Sequence, residues 1–353
     1  MDFKKLISRY RQFGGFRLVV EYAKLGVLGA VAKGFFRCLI KRQPFKGIYP
    51  EVLKKIEPYL IERYSPIVLG QVKRQSRAQE FKGSKSSNLE YKRSKLIWFC
   101  WLQGIEQAPE IVKACYNSLK RYLTDREIKM IDSENWKDYV ELPECIVRKW
   151  EKNRIPAALF SDLLRLELLV KYGGTWIDST VLCTGLNDNQ NENEKFLDAD
   201  LFLFQYTNQG SIPVSISNWF ITAYTNNEVL IVLRDMLYAY WKDYDCTLDY
   251  YIFHLFFSML SKEYSEEVLA MPYGQSMNSL ALLHHWGENF DQKKWDKLTR
   301  QVSFHKLAFR VNENIMENKE NWRTRIFPWL TSTDPHDSIS KGKNRHPYIL
   351  QTL

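Results

Sequence analysis

An α/β fold with a mixed, mainly parallel central sheet is what this sequence predicts, on three observations. Short runs of aromatic and β-branched residues alternate with helix-length segments between residues 95 and 310. A segment from about Ala157 to Tyr172 is apolar on nearly every side, so as a helix it belongs inside the molecule. Directly after it, Gly173 and Gly174 lead into "TWIDSTVLC", a strand-like run carrying a single acid, Asp178.

From Lys4 to about Arg77 the pattern is mostly helical, with breaks expected near Gln43 to Gly47 and at Pro66. The polar stretch "RQSRAQEFKGSKSSNLEYKRSK", Arg74 to Lys95, predicts an exposed linker with a boundary near residue 94. "KLIWFCWL" follows as a buried first strand, ending at Gln103 and Gly104. Pro109 opens a helix through about Tyr122, "EIKMID" gives a second strand, and Trp136 to Lys149 is helical with a break at Pro143. Ligands collect at the carboxyl ends of such strands, which favours the residues just after Trp101 and around Asp132. "ADLFLFQYT" and "VSISNWFITA" predict further strands, and Glu228 to Trp241 and Asp249 to Ser261 predict helices. Beyond residue 262 the pattern weakens: His284, His285 and Trp286 predict a loop, and "SFHKLAFR" predicts a short strand holding His305. The chain therefore divides into a helical basic region with linker (1–94), an α/β domain (95–310) and a C-terminal extension (311–353).

Charge is distributed unevenly. Residues 1–95 hold 22 Lys and Arg against 7 Asp and Glu, whereas the remainder is net acidic. No zinc-finger, RNP-type or helix-turn-helix pattern accompanies the basic residues, so no nucleic-acid partner is expected. A basic region beside "LVVEYAKLGVLGAVAKGFF" fits either docking on an anionic membrane surface or a solvated helical face packed on the main domain. Its longest uncharged run, Leu25 to Ala32, is far short of a membrane span. Six scattered cysteines without a C-x-x-C pair, and no signal-peptide pattern at the start, point to a cytoplasmic protein, which the membrane-docking alternative for the basic region would make peripheral on the inner face of the membrane.

Asp162 and Arg165 lie three apart on the apolar helix and share a face, so they can pair as buried charges must. Asp178, in or at the end of a buried strand, needs a cation or several hydrogen-bond donors. Asp249 reads equally as a helix N-terminal acid, His254 as a core residue on an aromatic helix face, and His305 as a packed strand histidine.

Taken together, "IWFCWLQG", "APEIV", "SDLLRLELLVKYGGTWIDSTV", "ISNWFITA", "DYYIFHLFF" and "SFHKL" resemble the bacterial capsular polysaccharide synthesis family of glycosyltransferases. These are similar in turn to the DXD-containing sugar transferases of the glycosyltransferase family 32 type, which include yeast-type mannosyltransferases and glucosylating toxins. The resemblance covers about residues 95–310. It implies a GT-A type nucleotide-sugar-binding fold, a nucleotide-diphosphate sugar donor, Mn²⁺ or Mg²⁺, and a lipid-linked glycan acceptor in capsule or extracellular polysaccharide synthesis. It assigns donor binding to Trp101, Gln103, Ser161, Asp162, Arg165, Gly173, Gly174 and Lys306. Asp178, Asn218 and Asp249 become the catalytic candidates, and Asp178 and His305 the metal ligands. Thr180 stands where the DXD pattern has its second acid, which moves metal binding onto Asp178, the donor's diphosphate and His305. Two alternatives are a transferase acting on a protein or soluble glycan, and a non-catalytic sugar-nucleotide-binding scaffold. The broad DXD group retains the donor's anomeric configuration, and retention is the corresponding expectation here.

Overall fold

Residue alternation along the strands divides the interior into two cores. The structure, a computed structural model, describes residues 3–33, 49–80, 91–185, 195–206, 216–308 and 320–331. Its central sheet contains β1 (Leu96–Cys100), β2 (Glu127–Ile131), β3 (Gly174–Asp178), β5 (Leu201–Gln205) and β6 (Ile216–Ala223), in the order β2-β1-β3-β6-β5. β1 pairs in parallel with β2 and β3, while β6 runs antiparallel to both β3 and β5, so four of the five strands point the same way. Trp98, Trp176, Leu201, Leu203 and Ile221 face one core; Ile97, Phe99, Ile177, Phe202, Phe204 and Phe220 face the other. Successive side chains of a strand point to opposite faces, so aromatic strands covered by helices on both sides must split in this way.

The first core is closed by α7 (Ala157–Tyr172), α8 (Glu228–Asp243) and α9 (Ile252–Glu263). Pro156 precedes α7 and Gly173 ends it in a left-handed conformation. The second core is closed by α4 (Glu110–Tyr122) together with a two-stranded sheet of β4 (Val181–Cys183) and β7 (Phe304–Lys306). The helical segment beyond β2 is split at Pro143 into α5 (Trp136–Tyr139) and α6 (Glu144–Glu151), as its sequence indicates.

The N-terminal region comprises α1 (Phe3–Gln12), α2 (Phe16–Lys24) and α3 (Tyr49–Glu80). Contrary to the expected break, α3 runs through both Pro58 and Pro66. Each proline removes one helical hydrogen bond. That loss is offset by a stripe of buried side chains at every fourth position: Val52, Ile56, Leu60, Tyr64 and Val68. The stripe belongs to the same core as α7, α8 and α9, and the Tyr64 hydroxyl donates to Asp243 at 2.9 Å. The break expected near Gln43 to Gly47 lies outside the described residues, as do residues 81–90 of the expected linker; Arg74 to Glu80 continue α3 as helix.

The weakly patterned C-terminal part also folds, into α10 (Ser265–Leu269), α11 (Ser276–His285), α12 (Gln292–Gln301), β7 and α13 (Trp322–Thr331). His284 and His285 close α11 rather than forming a loop, because the buried Trp286 and Trp322 hold that end; His285 stacks on Trp322.

Gly173 and Gly174 occupy positive φ at the start of β3. A Cβ on Gly174 would overlap the carbonyl oxygen of Leu96 on the neighbouring strand, and one on Gly173 would come within 3.2 Å of three backbone atoms. We therefore expect Gly174→Ala to lower the unfolding free energy by about 2–5 kcal/mol, through backbone strain and overpacking together. A urea titration followed by circular dichroism should show the reduced midpoint.

Candidate active site

The carboxyl ends of β1 and β3 lie beside the N-terminal end of the antiparallel β6, and the polar side chains of α7 point into that junction. Arg165 is the centre. Its Nη2 reaches Asp162 Oδ1 at 3.3 Å and Asp178 Oδ1 at 3.5 Å, and it donates to Ser161 Oγ at 3.1 Å. Nη1 donates to the backbone carbonyl of Asn218, and the guanidinium lies 4.8 Å from the Trp176 ring centroid. The Asn218 amide donates to Asp162 Oδ1 at 2.9 Å. Only 4% of the Arg165 side chain is exposed, so these contacts replace water around a full charge.

Asp178 ends β3, beside Cys100 on β1. Trp176 Nε1 donates to its Oδ1 at 3.0 Å, and Lys306 Nζ lies 3.3 Å from its Oδ2. Lys306 also donates to Thr180 Oγ1 at 2.5 Å. The residue standing in place of a second acid thus holds the ammonium that faces the first. Asp178 remains 26% exposed and Lys306 20%, so both can meet a ligand.

The structure thus brings together Ser161, Asp162, Arg165, Asp178, Asn218 and Lys306. It does not bring His305 to Asp178. His305 is fully buried and its Nε2 lies 3.1 Å from Thr184 Oγ1. Alternation along β7 explains this: Lys306 turns towards Asp178, so its neighbour turns away. Gly173 and Gly174 lie at the opposite end of β3 from Asp178, about 13 Å away at the usual strand rise, and serve strand packing rather than donor approach. Asp249 sits in the turn before α9, where its Oδ1 accepts from the Tyr251 N–H at 2.6 Å. Trp101, half-buried, follows β1 directly and packs against the second core, with Gln103 exposed in the turn beyond it. Trp176 is a site residue that sequence reasoning missed; its signal was the two-residue spacing to Asp178, which puts both on one strand face.

Residues 54–326, well over half of the chain, match the family model described as "Capsular polysaccharide synthesis protein". The chain belongs to that family. No curated protein matches this capsular polysaccharide synthesis protein. Among solved structures it is similar to one titled "PaToxG Glycosyltransferase", with 14% identity and a TM-score of 0.35, over 69% of this chain and 94% of that one.

Among the described residues no group of three or more His, Cys, Asp or Glu side chains could enclose a metal ion. One partly exposed carboxylate, Asp178, is what the protein offers, and that fits Mg²⁺ or Mn²⁺ only where phosphate and water oxygens complete the shell.

The two acids titrate in opposite directions. Burial raises the Asp162 carboxyl, Arg165 pulls it down and the Asp178 charge raises it again, leaving it at about 7. Burial alone would also raise Asp178, but Lys306, Arg165 and the Trp176 hydrogen bond outweigh it and hold the group below the ordinary value. His305 is pushed down to about 4 by burial, so its imidazole is neutral at pH 7.

Between the unfolded aspartate pKa and about 7, folding takes up a proton at Asp162, so its contribution to stability is lost as pH rises through that window. Asp162→Asn, which does not titrate, should therefore gain stability relative to the unmutated protein from about pH 4 to about pH 7, and no further above it. Urea unfolding across that range provides the measurement; a constant difference would place the Asp162 carboxyl in its ordinary range.

Proposed function

We propose that this protein is a glycosyltransferase that takes a sugar from a nucleotide-diphosphate donor and passes it to a lipid-linked glycan in capsular or extracellular polysaccharide synthesis. The observation that carries the reading is the Arg165–Asp178–Lys306 arrangement at the carboxyl ends of parallel strands. Membership of the capsular polysaccharide synthesis family supports the pathway. The mixed sheet accords with a GT-A type fold.

In this reading Lys306 and Arg165 face the donor's diphosphate. Both are fixed before the ligand arrives, Lys306 by Thr180 and Asp178, and Arg165 by Ser161, Asp162 and Asn218. Preorganised cations stabilise charge that develops on a leaving diphosphate without reorganising during the reaction. Asp178 would hold Mn²⁺ or Mg²⁺ jointly with the donor's phosphates, and that cation supplies further neutralisation of the departing nucleoside diphosphate. Asp162, near its protonation midpoint at neutral pH, can donate or accept a hydrogen bond to a ribose or sugar hydroxyl. Trp101, at the end of β1, is the flat partner available to a nucleobase. Asn218, its amide fixed on Asp162, would hold the donor sugar or attend the reacting carbon. Retention of configuration at the sugar is the stereochemical expectation.

A panel of nucleotide sugars with Mn²⁺, scored for binding and slow hydrolysis, tests the reading. One donor should be hydrolysed, chelation with EDTA should abolish the activity, and added Mn²⁺ should restore it. Asp178→Asn should reduce turnover by about 10²–10³-fold, the size typical of losing one charge-stabilising group. Lys306→Met should have a loss of similar order. Absence of binding to every donor would sink the proposal; binding without hydrolysis would favour the scaffold alternative.

A further inference from the structure

The turn between α1 and α2 is pinned to the segment that leads into α9. The Phe13 carbonyl accepts from the Thr247 N–H at 2.9 Å, and the Tyr22 hydroxyl donates to the Leu248 carbonyl at 2.8 Å. Gly14, at φ 118°, packs so closely on Cys246 that a Cβ would overlap it. The Tyr240 hydroxyl braces the same segment from the core side, donating to Cys246 O at 2.9 Å and accepting from Leu248 N at 2.8 Å. This segment ends in Tyr250, whose ring stacks on Phe13 at 6.2 Å. Burial raises the Tyr250 hydroxyl, and the charges of Asp162 and Asp178 raise it further.

The outer side of the same helical pair is both apolar and basic. Ile7 and Tyr10, three apart and so on one face of α1, are exposed. The Tyr10 ring lies against Gly15, and the next residue, Phe16, is 76% exposed, the most exposed large apolar side chain among the described residues. Arg11 and Arg17 flank them in solvent. Residues 3–33 hold seven basic side chains against one acid, Glu21, and that acid is already paired with Lys24 at 2.7 Å. Apolar side chains beside arginines on one short helical pair are what an anionic bilayer uses together, the first entering the headgroup boundary and the second meeting phosphates. No helix among the described residues is long and apolar enough to cross a membrane, so the contact is with the surface.

We propose that α1 and α2 form a docking surface for an anionic lipid bilayer, with Ile7, Tyr10 and Phe16 entering the headgroup boundary, Arg11 and Arg17 meeting phosphates, and the clamp on residues 246–250 holding that surface to the main domain. The proposal deepens the lipid-linked-acceptor reading and rests on it for its purpose, but docking is measured without any sugar. The full-length protein is to be sedimented with vesicles of phosphatidylcholine alone and of phosphatidylcholine mixed with phosphatidylglycerol, whose anionic surface attracts basic segments. Binding should be confined to the anionic vesicles and fall steeply as salt is raised. An Ile7→Ser and Phe16→Ser double variant should bind at least about tenfold more weakly. An Arg11→Gln and Arg17→Gln variant should bind more weakly and lose much of its salt dependence. All four side chains are exposed, and donor hydrolysis in vesicle-free buffer should be unchanged in both variants. Equal binding to neutral vesicles, undiminished binding of the Ser variant, or binding to heparin without binding to vesicles would overturn the proposal. Loss of donor hydrolysis in the unmutated protein would instead remove the enzymatic reading and leave a measured docking surface in place.

Discussion

The buried guanidinium of Arg165 is the interaction on which the rest of the site depends. It joins α7 to β6 through the Asn218 carbonyl, to β3 through Asp178 and the Trp176 ring, and to its own helix through Ser161 and Asp162. A charge so deeply placed is tolerable only with a full complement of acceptors. The fold therefore converges several elements on one point, and each acceptor is fixed in position by the same contact. Removing one partner would leave the remaining charge uncompensated, which costs more than the net worth of the pair.

That constraint also separates the two aspartates chemically. Asp162 is enclosed beside Arg165 and titrates near neutrality, whereas Asp178 keeps solvent access, gains Lys306 and stays ionised. Two carboxylates a few ångströms apart thus acquire different tasks from their surroundings. The anionic one lies where a cation or diphosphate would arrive, and the near-neutral one lies beneath it, held to the Asn218 amide.

Much of this was legible in the sequence, because the relevant signals are local. The i, i+3 spacing of Asp162 and Arg165 puts them on one helix face whatever the tertiary fold, and the glycine pair before a β-branched run marks the helix-to-strand turn that delivers Asp178. The less legible parts depend on distant segments. His305 and Lys306 are adjacent in sequence, and which of them faces Asp178 is set by the register of β7 on β4, where Val181 pairs with Lys306. Pro66 reads as a helix break in isolation but lies within a helix whose buried stripe packs on α8 and α9. The resemblance assigns the glycine pair to the donor, yet the five-residue β3 separates it from Asp178 and leaves it at the opposite end of the strand.

By itself, then, the sequence determined the strand and helix alternation, the buried character of α7, the pairing of Asp162 with Arg165 and the basic excess of the first 95 residues. These are properties of periodicity, spacing and composition, which need no partner segment. Only the tertiary structure decided that Lys306 and Thr180 complete the Asp178 site, that His305 is a neutral core residue, and that the basic helices clamp the segment leading to Tyr250. Each of those depends on side chains more than a hundred residues apart meeting in one register, and a single-residue slip of a strand would exchange the face that each presents.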